Sequence, residues 1–182
     1  MRQDLVSRAQ RGDEAAFAEL ATGIVDRLFS IAYRILRDTD AANDAAQEAL
    51  VKIWRELPAL RDAERFDAWS YRILVNACYA ESRRLRRPPP TALALPMQVG
   101  DDPIGAVVDR DQLERGFHRL PAEQRAALVL QHYLDLSLAD IAEVMGVPVG
   151  TVRSRLHYAR ESMRAALEAD LRAADQRPGA TA

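Results

Sequence analysis

The run Pro88-Pro89-Pro90 constrains this chain more than any other feature. Each ring removes a backbone donor and clashes with the preceding turn, so no helix continues through it. Residues 88–103, PPPTALALPMQVGDDP, hold five prolines and read as a linker. In a polyproline-like state, at about 3.1 Å per residue, they reach about 50 Å, so the flanking halves need not touch. Within the linker Leu93, Leu95, Met97 and Val99 alternate with other residues, a pattern that lets it lie along a partner's surface. A length of 182 residues is enough for two small domains, one on each side.

Both halves carry helical periodicity. From Asp13 to Arg37, the apolar residues Phe17, Leu20, Ile24, Leu28, Ile31 and Ile35 recur at steps of three or four, with Asp13 as N-cap. A second helix is expected from about Thr39 to Leu57, with Ala46, Leu50, Ile53 and Leu57 on one stripe, and Pro58 ends it. After the loop PALRDAERF, a third runs from about Asp67 to Arg86 and closes in a basic run, Arg83, Arg84, Arg86 and Arg87. Beyond the linker, the pattern resumes from Val107 to Arg119 and restarts at Pro121 as first helical residue, with Ala127, Leu128, Leu130, Gln131 and Leu134 on its face. Ser137 caps a short helix that Gly146 stops, and a last helix runs from Pro148 and Val149 to about Ala173. No strand-like alternation of useful length and no repeat occurs. The expected fold is all-α, two small helical domains joined by a Pro-rich linker.

Three constellations carry chemistry. In residues 135–164, a short helix, the Gly146 turn and a second helix led by small polar residues make a helix-turn-helix pattern. If Val152 and Leu156 point inward, Arg153, Ser154, His157 and Tyr158 face outward, where Arg153 can donate to guanine acceptors. Arg155, Arg160 and Arg164 lie nearby, and the bland reading is a helical hairpin with a solvated basic face. In residues 66–87, Phe66, Trp69, Tyr71 and Tyr79 are interleaved with Arg72 and the terminal arginines, a mixture able to stack unpaired bases and hold phosphates. At helical spacing, most such aromatics are core, and Trp69 is expected to be largely packing. Asn76 is either a satisfied buried amide or a polar contact to a base. The third is a polar stripe of Asp44, Gln47, Glu48 and Lys52 beside Trp54 and Arg55, for which intrahelical ion pairing on a solvated face is a sufficient account.

Composition narrows the function classes. Hydrophobic residues at 48% and charged residues at 29% fit a globular chain. A net charge of −2 and a pI near 6.0 exclude a wholesale polycation, so nucleic-acid binding must use local patches. Cys78 stands alone, cannot form an internal disulfide and reads as packing. The first residues lack a signal-peptide core and no stretch is apolar enough to span a membrane, so a soluble cytoplasmic protein without membrane insertion is expected. His118, His132 and His157 lack ligand spacing and no glycine-rich phosphate loop occurs, so neither a catalytic residue, a metal nor a cofactor is expected, and the chain is not read as an enzyme.

Taken together, these strings resemble bacterial sigma factors, the small extracytoplasmic-function (ECF) group of the sigma-70 family, from about Ala15 to Leu167. DAANDAAQEALVKIW is similar to the region 2 helix that docks on core RNA polymerase, which implies binding roles for Asp44, Gln47, Glu48 and Lys52. RFDAWSYRILVNACYAESRR resembles the segment that melts and reads the −10 element, which implies roles for Arg65, Phe66, Trp69, Tyr71, Arg72, Asn76, Arg83 and Arg84, with PALRDAERF as a pocket for a flipped base. GTVRSRLHYAR is similar to the region 4 helix that reads the −35 element, which implies roles for Thr151, Arg153, Ser154, His157, Tyr158 and Arg160.

The resemblance implies a region 2-like domain over residues 1–87, a flexible linker over 88–106, a region 4-like helix-turn-helix domain over 107–174 and a disordered tail over 175–182. It implies core RNA polymerase and promoter DNA as partners and an anti-sigma factor as a candidate third. Two rivals stand beside a promoter-recognising, promoter-melting sigma factor. One is an autonomous helix-turn-helix regulator with a helical sensing domain; the other is a scaffold that binds protein only.

Overall fold

The computed structural model describes residues 2–86 and 114–175, with side-chain surroundings defined through residue 169. Among these residues the architecture is all-helical. The N-terminal half contains α1 (Arg2–Gln10), α2 (Glu14–Leu36), α3 (Thr39–Glu56) and α4 (Phe66–Arg86). The C-terminal half contains the helical residues 114–119 (α5), then α6 (Ala122–His132), α7 (Leu138–Met145) and α8 (Val149–Asp175). The proposed linker, Arg87, the expected helical onset at 107–113 and residues 176–182 of the expected tail lie outside the described residues.

Local chemistry sets the helix boundaries. Asp13 accepts from the Ala16 N–H at 2.9 Å, and Asp38 accepts from the Ala41 N–H at 2.8 Å, each satisfying an otherwise orphaned donor. Gly12, at φ 89°, makes the turn between α1 and α2 in a region most residues avoid. Ser137 and Asp140 form a reciprocal capping box on α7, and Gly146 ends that helix in the left-handed conformation at φ 65°. Pro121 sits one residue outside α6 rather than at its first position. Its ψ of 148° keeps it extended while its carbonyl accepts from both Gln124 and Arg125 at 3.0 Å.

Helix α1 is too short and polar to announce itself by periodicity, yet Val6 and Ala9 are buried. It is tied down by Gln10, whose amide donates to the carbonyls of Leu57 and Leu60 in the turn after α3. The N-terminal core is built from Leu28, Ile31, Ile35, Ile53, Leu57, Phe66 and Leu74, all essentially inaccessible. Truncating such a residue, as in Leu74→Ala, costs about 2–5 kcal/mol. Leu130, Ile141, Val144, Val152 and Leu156 fill the C-terminal half.

The halves touch, although the linker's reach makes contact unnecessary. Helix α6 packs on α2, and α7 packs on α4. Arg125, buried within α6, donates from Nε to the Ile35 carbonyl at the end of α2, and from Nη1 to the carbonyls of Leu120 at 2.8 Å and His118 at 3.2 Å. The Arg34 guanidinium of α2 lies 3.9 Å from the centroid of the Tyr133 ring, a cation–π contact across the same junction.

Candidate nucleic-acid and polymerase interfaces

Helix α8 separates its two faces as the spacing predicts. Val152, Leu156 and Ala159 are buried against the rest of the C-terminal half, which leaves Arg153, Ser154, His157 and Tyr158 exposed together on the outer side. Arg153 has no protein partner among the described residues, so its five donors stay available to a ligand. The His157 and Tyr158 rings stand 5.5 Å apart at a tilt of 59°, forming an aromatic edge beside it. Ser154 donates to the Thr151 carbonyl at 2.9 Å, and Thr151 is half-buried at the start of the helix. Arg160 donates to the Gln131 side chain at 2.7 Å, which anchors it to α6 at the border of this face.

Helix α4 divides the second residue set. Arg65, in the short helical turn Ala63–Arg65 that leads into α4, and Trp69, Arg72, Asn76 and Arg83 on α4 follow one another at steps of three, four or seven, and share one stripe. Arg72, Asn76 and Arg83 are exposed, and Trp69 is half-buried with its ring tilted against Phe66 at 6.0 Å. Phe66 and Tyr71 fall off that stripe and are core: they are 1% and 4% exposed. Their burial agrees with the reading that most aromatics at this spacing are core, and it leaves neither ring exposed for the DNA role the resemblance implies, because a step of one or two residues turns a side chain about 100–200° around the helix. Tyr71 packs with the Arg27 guanidinium 5.3 Å over its ring, and burial raises its hydroxyl above the ordinary tyrosine range. Arg84 also leaves the stripe. It turns toward α3, where it binds the Asp44 carboxylate at 2.8 Å, and it pairs with Glu81 one turn earlier at 2.9 Å.

On α3, Asp44, Gln47, Glu48 and Lys52 are all exposed on one side, while Ala41, Ala42, Ala45, Ala46, Ala49 and Ile53 face the core. The expected Glu48–Lys52 pairing is replaced by a loose contact of Lys52 with Glu56 at 3.9 Å. Val51 and Trp54, 49% and 38% exposed, add an apolar component to this polar face. The Trp54 ring is held at 4.5 Å from Phe17. An exposed valine in a helical run gives no signal of its own in sequence; Val51 stands out only once its neighbours are known to point outward.

A groove of about 540 Å³ also escaped the sequence, because it forms between elements far apart in the chain. Leu128, Val129, Tyr133, Met163 and Leu167 line it, and Arg34 reaches its rim from α2. Cys78 is fully buried and its thiol is pushed up to about 12 by that burial. Among the described residues, no group of three metal-ligating side chains converges, and no helix is long and apolar enough to cross a membrane.

The family description "Sigma-70 region 2" matches residues 20–88, and "Sigma-70, region 4" matches residues 110–163. The chain is 38% identical over 186 aligned residues to the RNA polymerase sigma-H factor of Pseudomonas aeruginosa, covering 94% of this chain and 96% of that one. It is 33% identical to the ECF RNA polymerase sigma-E factor of Escherichia coli K12, over 88% of this chain and 91% of the other. In fold it is similar to CnrH, solved in complex with the cytosolic domain of CnrY, with a TM-score of 0.67 and 24% identity over 93% of this chain and 98% of that one. It is also similar to the sigma factor RpoE from Bartonella quintana, solved with the anti-sigma factor NepR, with a TM-score of 0.62 and 24% identity over 85% of this chain and 98% of that one. With both regions matched in order and full-length relatives above 30% identity, the chain belongs to the extracytoplasmic-function group of the sigma-70 family of RNA polymerase sigma factors.

Proposed function

We propose that the chain works as a promoter-specificity subunit whose three exposed faces divide the task. The observation that carries the reading is the α8 face, on which Arg153, Ser154, His157 and Tyr158 stand outward because Val152 and Leu156 are locked inward. On this reading α8 enters the major groove at the −35 element, Arg153 reads a guanine edge, and Thr151 and Arg160 hold adjacent phosphates. The α4 stripe engages the −10 element, where Trp69 supplies a stacking platform, Asn76 an amide for a base edge, and Arg65, Arg72 and Arg83 phosphate contacts. Arg84 contributes indirectly by holding Asp44. The exposed side of α3 binds core polymerase.

The domain limits follow the same division: 1–87 for the polymerase and −10 functions, 88–106 as connector, 107–174 for −35 recognition. A chain of net charge −2 gains little from general phosphate attraction, so the polymerase supplies the remaining affinity. The protein acts in the cytoplasm by binding alone, without cofactor or catalytic step. An anti-sigma factor counts among its partners, because similar folds were solved with such partners or their cytosolic domains. The autonomous-regulator reading is not favoured, since the N-terminal half is itself region 2-like.

The test is footprinting of a reconstituted holoenzyme on a cognate promoter. Protection at both elements and single-strand reactivity at −10 are expected; loss of −35 protection without loss of core binding is expected for Arg153→Ala. Protection that never extends to −10 would contradict the assignment of α4.

A further inference from the structure

Where the ends of α2 and α4 meet the turn from α5 into α6, cations gather around a cavity of about 340 Å³. Arg86, the last residue of α4, lines it from one side. Arg119 and Arg125 line it from the other, with His118 beside them. Among the described residues, no carboxylate lines this cavity, a local reversal of the chain's net charge of −2.

Arg125 is its anchor. The residue is 8% exposed, and its Nε and Nη1 are taken by the carbonyls of Ile35, His118 and Leu120. Carbonyls satisfy donors but carry no net charge, so the guanidinium is buried without a counterion, which is costly until an anion completes the site. Its Nη2 forms no hydrogen bond with a described residue and is not sealed from solvent. Burial first, then the charges of Arg86 and Arg37, hold Arg125 below its ordinary range, and Glu123 opposes them. Arg37 is ion-paired with Glu114, whereas Arg86 and Arg119 form no hydrogen bond or ion pair with a described residue. His118 is held below the ordinary histidine range by burial first and by Arg37 and Arg125 next, so it lines the cavity as a neutral imidazole with one donor and one acceptor.

The rest of the wall sets the class of ligand. Leu36, Leu120 and Pro121 form an apolar part, Leu85 stands 54% exposed at the end of α4, and Ser82 adds a hydroxyl. A volume at the small end of the range for small-molecule sites suits a compact ligand. Three guanidiniums with no lining carboxylate match an anion of several charges. A phosphate group carries about −1.5 to −2 at neutral pH and presents oxygens that accept from guanidinium forks, so two linked phosphates fit where a single carboxylate leaves most of the positive field unmet.

We infer that this cavity is a binding site for a small diphosphate, held by Arg86, Arg119 and Arg125, with Leu85 and Leu120 beside it for the organic part of a nucleotide. None of its lining residues belongs to the sets read as −35, −10 or polymerase contacts, so the site stands apart from those assignments.

The test is calorimetric titration of the full chain with inorganic pyrophosphate and, in separate arms, with guanosine and adenosine diphosphates, all at fixed ionic strength and without divalent metal. Saturable binding of about one equivalent is expected, with a melting temperature that rises with occupancy. Arg86→Gln and Arg119→Gln, both exposed, should each weaken binding about tenfold and leave the ligand-free melting temperature at the parental value. Tighter binding of a nucleoside diphosphate than of pyrophosphate would identify a nucleotide as the ligand; equal or weaker binding would identify the free diphosphate. Absence of saturable binding at millimolar concentration, an equal rise in melting temperature with sulfate at the same ionic strength, or parental affinity in both variants would each overturn the site. So would promoter affinity lost by the two variant holoenzymes when no pyrophosphate binds the parent, which would make these arginines contacts to DNA phosphates.

Discussion

Arg84 of α4 donates to the Asp44 carboxylate of α3 at 2.8 Å, linking the helix read as polymerase-facing to the helix read as DNA-facing. Both side chains are more than half exposed, so the pair adds little to stability. Asp44→Arg should therefore weaken core binding by removing a surface charge and repelling Arg84, while helix content and melting temperature stay close to the parent. Circular dichroism and a core-polymerase titration check this. Unchanged affinity in a folded variant would remove Asp44 from the polymerase face.

The α4 stripe predicts a separation of recruitment from opening. Asn76→Ala and Trp69→Ala in the holoenzyme should slow open-complex formation more than they weaken closed-complex binding, because stacking and base-edge contacts arise only on unpaired bases, at about 1–3 kcal/mol per stacked base. Phe66→Ala should instead lower stability by about 3–5 kcal/mol, as a fully buried aromatic. Stopped-flow opening kinetics and thermal unfolding distinguish the two classes.

The N-cap of α2 gives a pH dependence with a definite sign. Asp13 is held below the ordinary carboxylate range by the Ala16 N–H first and by Arg8 second. Its folded pKa is lowered, so its stabilising contribution is complete above the unfolded value of about 4 and is lost as pH falls through the lower folded value. The melting-temperature gap between the parent and Asp13→Ala should be present at neutral pH and narrow below about pH 4. A gap that widens on acidification would contradict the assignment.

What could be read in the sequence was whatever depends on local chemistry. The caps at Asp13 and Ser137, the stop at Gly146 and the inward setting of Val152 and Leu156 all follow from residue type and a period of 3.6. Phe66 and Tyr71 show where that reading stops: aromatic character marks a helix able to stack bases, but one residue's difference in register decides between core and surface. Arg125 was equally hidden. A charge inside an apolar run looks like a solvated interruption until the carbonyls of Ile35, His118 and Leu120 are brought around it by packing across the junction.

Helix α8 predicts two distinct classes of DNA defect. Arg153→Ala should cost about 1–3 kcal/mol at one −35 position and relax preference there, as expected for a bidentate guanine contact. Arg160→Ala should weaken binding to all sequences alike and reduce the salt slope by about one. Single-base −35 variants titrated with each holoenzyme check both. A uniform loss for Arg153→Ala across every variant would make it a phosphate contact.

The central claim is that promoter recognition by these faces requires core polymerase, and the most direct measurement is binding of one labelled promoter by the full chain with and without core enzyme at physiological salt. The account predicts weak binding by the free chain, tight binding once core polymerase is added, and loss of open complex when either element is scrambled. Tight, sequence-specific binding by the free chain, unaltered by core polymerase, would contradict it.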